Sequence, residues 1–216
     1  MTGTATGTGG STGGGTGGST ERHTATQAVV LVEGVSDRVA LETVARRRGM
    51  DLEADGVAVV AMDGITNVSR FLAHYRANEP HTQITGLYDE AEESFVRRSL
   101  ELIGHDVAPD CARTSLEALG FFSCSADLED ELIRALGPRE VERLVEAEGQ
   151  LRSFRKLQQQ PALRDWSVHD QLRRMMSGRS GAKERYAAVM ARALPLDRVP
   201  RPLSEVLAYV SAEQRR

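Results

Sequence analysis

Val29-Val30-Leu31-Val32-Glu33-Gly34-Val35-Ser36-Asp37 decides the fold of this chain: an apolar run ends on a carboxylate, a glycine turns the backbone, and a helix follows. Ser36 is expected to cap that helix, with Asp37 in its first turn, where the positive end of the dipole favours acids. The arrangement sets Glu33 at the carboxyl end of a parallel strand, where open α/β sheets build their sites.

Working outward, the same event recurs at Ile84-Thr85-Gly86-Leu87-Tyr88, which runs into Asp89, Glu90, Ala91, Glu92 and Glu93. Two strands thus end on acids. Neighbouring strands lie about 4.8 Å apart, so carboxylates at their ends converge, and unpaired burial of either charge is costly. Converging carboxylates point to a hard divalent cation held through oxygen. Like charges so close repel, and a bound Mg²⁺ or Mn²⁺ relieves that repulsion. Asp63 also ends an apolar stretch, but Asp63-Gly64 reads equally as a plain turn.

The periodicity predicts strands over 28–33, 57–62, 83–88 and 120–124. Helices are expected over 36–48, 67–76 and 92–103, with Thr66 or Asn67 capping the second. Further helices are expected near 114–118, 127–136, 138–148, 151–159, 168–176, 181–193 and 202–213. Strand-helix alternation calls for a parallel sheet. The expected organisation is a disordered Gly/Ser/Thr-rich tail over 1–27, an α/β domain over 28–136 and a helical C-terminal extension over 137–216. The tail lacks the apolar side chains needed to offset its chain entropy.

Composition narrows the function. Among 216 residues, 31 acids and 27 Lys and Arg give a formal net charge of −4, which argues against indiscriminate coating of nucleic acid while permitting a local basic groove. No apolar run reaches the roughly 20 residues of a membrane helix. Two cysteines, Cys111 and Cys124, have neither metal-site nor redox spacing, and a reducing cytoplasm is expected. The histidines show no ligand spacing. No Lys-Ser or Lys-Thr completes a phosphate loop among the N-terminal glycines. Basic side chains gather late, at Arg152, Arg155, Lys156, Arg173, Arg174, Arg179, Lys183 and Arg185, as a solvated helix face or as a phosphate groove.

Glu33-Gly34-Val35-Ser36-Asp37 and Asp89 resemble the Toprim domain, the metal-binding module shared by topoisomerases, bacterial primases and the overcoming-lysogenization-defect (OLD) nucleases. Its signature is a Glu after the first strand and Asp-x-Asp after a later one. Here Asp89 matches the first Asp, whereas Ala91 occupies the second place, leaving Glu92 or Glu93 to replace it. The Glu-Gly-x-Ser-Asp form looks most like the OLD branch. So does Ser125-Ala126-Asp127-Leu128-Glu129, similar to the element that supplies a later metal ligand there, with Ser125 and Glu129 spaced to share a helical face. Lys183, after Gly178-Arg179-Ser180-Gly181-Ala182, resembles the late lysine of that branch, which stabilises phosphate charge in the transition state.

The resemblance implies a Rossmann-like Toprim sheet of about four strands. It implies Mg or Mn held by Glu33, Asp37, Asp89, Glu129 and Glu93, catalysis by Glu33, Asp89 and Lys183, and nucleic acid, DNA first, bound by Arg174, Arg179 and Lys183. OLD nucleases carry an ATPase domain ahead of their Toprim domain; this chain looks like the Toprim portion, with an ATPase acting in trans. The implied activity is that of a nuclease or a nucleotidyl transferase or hydrolase. Two rivals stand beside it: a catalytically weakened Toprim module that binds metal, nucleotide or a partner without cutting, and a phospho-acceptor receiver domain with Asp89 as acceptor.

Overall fold

A computed structural model describes residues 26–107, 112–177 and 181–213. Residues 1–25 of the tail, Cys111, Arg179 and Ser180 lie outside the described residues. The chain runs β1 (Ala28–Val32), α1 (Val35–Arg47), β2 (Val57–Ala61), α2 (Val68–Asn78), β3 (Gln83–Asp89), α3 (Glu93–Leu102), α4 (Ala112–Ala118) and β4 (Phe121–Cys124). Helices α5 (Leu128–Leu136), α6 (Pro138–Ala147), α7 (Leu151–Gln158), α8 (Val168–Ser177), α9 (Ala182–Ala193) and α10 (Arg201–Glu213) follow.

The four strands form one parallel sheet in the order β2-β1-β3-β4. Successive side chains of β1 serve opposite faces, as the strand period requires. Ala28, Val30 and Val32 join the larger core, with Leu41, Val44, Leu132, Tyr186, Met190 and Leu207. Val29 and Leu31 join the smaller one, with Leu72, Val96, Leu100 and Leu116 of α2, α3 and α4. All five β1 residues are buried, so the run carries no polar alternation. The C-terminal helices therefore share a single core with one face of the sheet.

Gly86 is required where β3 lies between β1 and β4. A Cβ there would sit 2.8 Å from the carbonyl oxygen of Leu31 and 3.1 Å from the Phe121 ring, closer than backbone can yield. The buried Thr85 hydroxyl donates to the Gly120 carbonyl, tying the end of α4 to the sheet.

Two local expectations are corrected. Helix α1 begins one residue before Ser36, on an extended Gly34 cap, and Ser36 makes no capping bond. Asp37 instead reaches back, its Oδ2 accepting from the Gly34 amide at 2.8 Å. Ser125 does not share a helical face with Glu129, because α5 starts at Leu128 behind an Asp127 cap that accepts from the Asp130 amide at 2.7 Å. Ser125 lies in the turn before it, donating its amide to Glu131 Oε1 at 2.9 Å. Among the described residues no helix is long and apolar enough to cross a membrane.

Candidate metal centre at the carboxyl ends of the sheet

The strand order reverses between β1 and β3: the chain leaves β1 for β2 on one side and returns to pair β3 on the other. Helices following these strands diverge from that point, leaving a crevice at the carboxyl ends. Glu33 follows β1 and Asp89 closes β3, so both acids stand at the mouth of the crevice.

A cavity of about 370 Å³ opens there, lined by Glu33, Asp37, Asp63, Asp89, Asp127, Glu129, Glu184 and Lys183. The acids owe their places to several different elements. Glu33 is held by the β1–α1 turn, where its carbonyl accepts from the Gly64 amide at 3.1 Å. Asp37 belongs to the first turn of α1. Asp63 sits at φ 58 in the turn after β2, a conformation that Asp tolerates better than most residues. Both its carbonyl and that of Met62 accept from Asn67 Nδ2. Asp127 and Glu129 open α5, and Lys183 lies in the first turn of α9.

Ligand oxygens of Glu33, Asp89 and Glu92 lie within 4.8 Å of one another. Glu93, the other expected substitute for the missing second aspartate, begins α3 and is not part of this group. The reason is local. Glu90–Glu92 form a 3₁₀ turn capped by Asp89, and residues three apart eclipse in such a turn. Glu92, which ends that turn, comes close to Asp89 and hydrogen-bonds to Glu33, while Ala91 is exposed.

The electrostatics are those of crowded, partly buried acids. Burial first, then the charges of Glu33, Asp127, Asp37 and Glu92, push the Asp89 carboxyl up to about 8. Asp37 rises to about 7, chiefly through burial, against the lowering effect of the Gly34 amide. Glu92 rises to about 7 through burial, the charge of Glu33 and a hydrogen bond to it. Glu129 is 4 % exposed. Burial raises its carboxyl, opposed by Lys183, whose Nζ lies 3.6 Å from Oε2. Its other oxygen, Oε1, is buried with no hydrogen-bond partner. Lys183 stays raised despite partial burial, because Glu129, Asp127 and Asp37 favour the ammonium.

Of the residues singled out in the sequence, Glu33, Asp37, Asp89, Glu129 and Lys183 line this one cavity. Arg174 does not; it lines a separate cleft between α7, α8 and α9. Two contributors lacked a distinct signal in the sequence. Glu92 was one of two equal substitutes for Ala91. Asp127 was one acid among several around Glu129, although an Asp three residues ahead of another acid at a helix start is a capping signal. Asp127 is also bound by Arg173 Nη2. Asp130 beside it accepts His169 Nε2 at 2.6 Å and Arg134 Nε at 2.8 Å. The start of α5 is thus clamped to α8.

Residues 26–85 match the family described as overcoming lysogenization defect protein-like, TOPRIM domain. No curated protein matches the chain. Among solved structures, the C-terminal region of the Burkholderia pseudomallei OLD protein superposes with a TM-score of 0.68 at 21% identity, covering 88% of this chain and 98% of that one. The C-terminal region of the Xanthomonas campestris pv. campestris OLD protein gives 0.67 at 20% identity, covering 88% and 97%. Residues 26–85 therefore match an OLD-like Toprim domain, and the fold around them is that of the C-terminal region of OLD proteins.

Proposed function

We propose that this protein is a divalent-cation-dependent phosphoryl-transfer domain that acts on nucleic acid, cleaving a phosphodiester with water as the attacking group. The convergence of Glu33, Asp89 and Glu92 at a sheet switch point carries the reading. The donor set fits the cation. It consists of carboxylate oxygens alone, which suits Mg²⁺ or Mn²⁺ over thiolate- and imidazole-seeking metals. Burial and then mutual repulsion raise the carboxyls of Asp89, Glu92 and neighbouring Asp37, and Glu129 Oε1 is buried without a partner; a cation resolves both conditions.

Glu33, Asp89 and Glu92 would hold that cation, with Asp37 and Glu129 across the cavity as the holders of a second. Bound there, it supplies positive charge to the phosphate oxygens as the phosphoryl group transfers. Lys183 donates to a phosphate oxygen from the opposite wall, kept in the cavity by Glu129. The Arg173–Asp127 contact fixes the start of α5, and so the position of Glu129.

Exposed Ala91, in place of a second aspartate, favours a second reading: a Toprim module that binds metal or nucleotide without cleavage. Nicking of supercoiled DNA separates the two. The expected outcome is slow nicking, faster with Mn²⁺ than Mg²⁺, abolished in Glu33→Gln and increased in Ala91→Asp. Equal activity in Glu33→Gln and wild type would remove the site, and Mn²⁺ binding with no nicking would select the binding module.

A further inference from the structure

The helical extension holds a second cavity, of about 390 Å³, between α7, α8 and α9. Lys156, Arg174 and Arg185 line it, together with the neutral donors and acceptors of Gln150, Ser153 and Gln160. Among the described residues no carboxylate lines it, in a chain where acids outnumber Lys and Arg 31 to 27. Neighbouring cations are neutralised locally: Arg155 by Glu142, Arg173 by Asp127 and Arg134 by Asp130. Among the described residues Lys156 and Arg174 form no ion pair. Arg185 Nε stands 3.8 Å from Glu148 Oε2, beyond hydrogen-bond reach, and its guanidinium lies 5.0 Å from the centre of the Tyr186 ring. That cation–π contact leaves its N–H groups free to meet an anion.

The first turn of α9 divides this cleft from the acid cavity. Lys183 and Glu184 line the acid side, while Ala182, Arg185 and Tyr186 line the basic side. A helix with its side chains is about 10–12 Å across, a short span for a polyanion. A strand crossing that turn presents one phosphate to Lys183 and the next ones to Arg185, Lys156 and Arg174.

We propose that the α7–α8–α9 cleft is a subsite for the phosphodiester backbone of a single nucleic-acid strand, lying beside the acid cavity and filled independently of metal. The site is too small for a duplex to enter and presents three cationic side chains along its wall, so binding follows charge and phosphate spacing. The proposal rests on the acid cavity being a phosphoryl-transfer site, and its test separates the two.

Anisotropy of a fluorescein-labelled oligothymidylate is measured with the full chain in EDTA, across a salt series. Wild type is expected to bind. The triple variant Lys156→Gln, Arg174→Gln, Arg185→Gln is expected to bind about tenfold or more weakly, with a salt slope smaller by about 2, at about 0.7 per lost single-strand contact. The variant with Arg174→Lys and Arg185→Lys alone keeps most of the affinity, which distinguishes charge from a fold defect. Absence of wild-type binding, or an unchanged slope in the triple variant, overturns the subsite. Inorganic phosphate competing as well as the oligonucleotide, at equal phosphate concentration, overturns the strand as its occupant. Mn²⁺-dependent hydrolysis of bis(4-nitrophenyl) phosphate, too small to reach the cleft, reads the acid cavity alone. Its absence in wild type would sink the phosphoryl-transfer reading while leaving the strand-binding result intact.

Discussion

Helices α1 and α9 meet in two ways. Along their length the contact is apolar and closed: Ala40, Leu41, Val44 and Ala45 of α1 and Tyr186, Ala187, Met190 and Ala191 of α9 are all buried. Small residues on both helices bring the backbones close, and Arg47 Nη1 finishes the seam by donating to the carbonyls of Ala191 and Leu194 at 2.9 and 2.6 Å. A guanidinium at a helix C-terminus satisfies orphan carbonyls and opposes the dipole. At their first turns the same helices present Asp37 and Lys183 to a cavity of crowded acids, where one ammonium faces several carboxylates. The seam is apolar apart from a guanidinium that meets two helix-end carbonyls, while the cavity leaves charge unbalanced a few residues away. The difference teaches where each property resides: the seam supplies rigidity, and that rigidity holds together charges that would otherwise move apart.

The largest effect is expected from breaking the seam. Leu41→Ala leaves a void in a site with no exposed surface, and should cost about 2–5 kcal/mol in chemical denaturation. If the seam positions the cavity, Mn²⁺ affinity measured well below the denaturation midpoint falls as well. A stability loss with unaltered affinity would show that α1 and α9 hold their first turns independently.

A smaller effect, of opposite sign, is expected from relieving the cavity. The Asp89 carboxyl is displaced from 3.8 to about 8 in the folded protein, so the folded state holds this proton more tightly than the unfolded chain. The stability it contributes is complete below about pH 4 and is lost as pH rises to about 8. Asp89→Asn, which cannot ionise, should therefore match wild type in EDTA at low pH and melt several degrees higher at about pH 8. Calorimetry at the two pH values checks this, and Mn²⁺ should stabilise wild type alone. A gap between the variants that stays constant with pH would mean that repulsion at Asp89 is not what the cavity stores.

The smallest effect is expected from the clamp between the two regions. Arg173 is half-buried and bound to Asp127, so Arg173→Ala should cost about 1 kcal/mol or less, as for other partly exposed pairs. Lys at the same position should recover part of this. A loss as large as that of Leu41→Ala would place the clamp within the seam's cooperative unit.

Much of this was legible because it is written in local pattern. The apolar runs of β1 and β3 and the acids that close them are adjacent in sequence, so Glu33 and Asp89 could be placed at strand ends, and the helices of the described residues could be located by periodicity and punctuation. What local pattern does not contain is rotation about a helix axis. Whether Glu92 or Glu93 faces Glu33 depends on a single 3₁₀ turn, which shifts the facing residue by one position. Whether Ser36 or Asp37 serves the α1 cap depends on where the helix starts, and Gly34 takes the cap because its extended backbone leaves the Asp37 carboxylate within reach.

The sequence by itself determined the sheet, its parallel sense and the supply of acids at its carboxyl ends, because strand periodicity and strand-helix alternation depend on residues near one another in the chain. Only the tertiary structure decided which acids share a cavity, that Lys183 faces Glu129, and that Arg174 lies in a different cleft. Those choices depend on how α5, α8 and α9 dock on the sheet, which is set by close packing of cores assembled from segments more than a hundred residues apart.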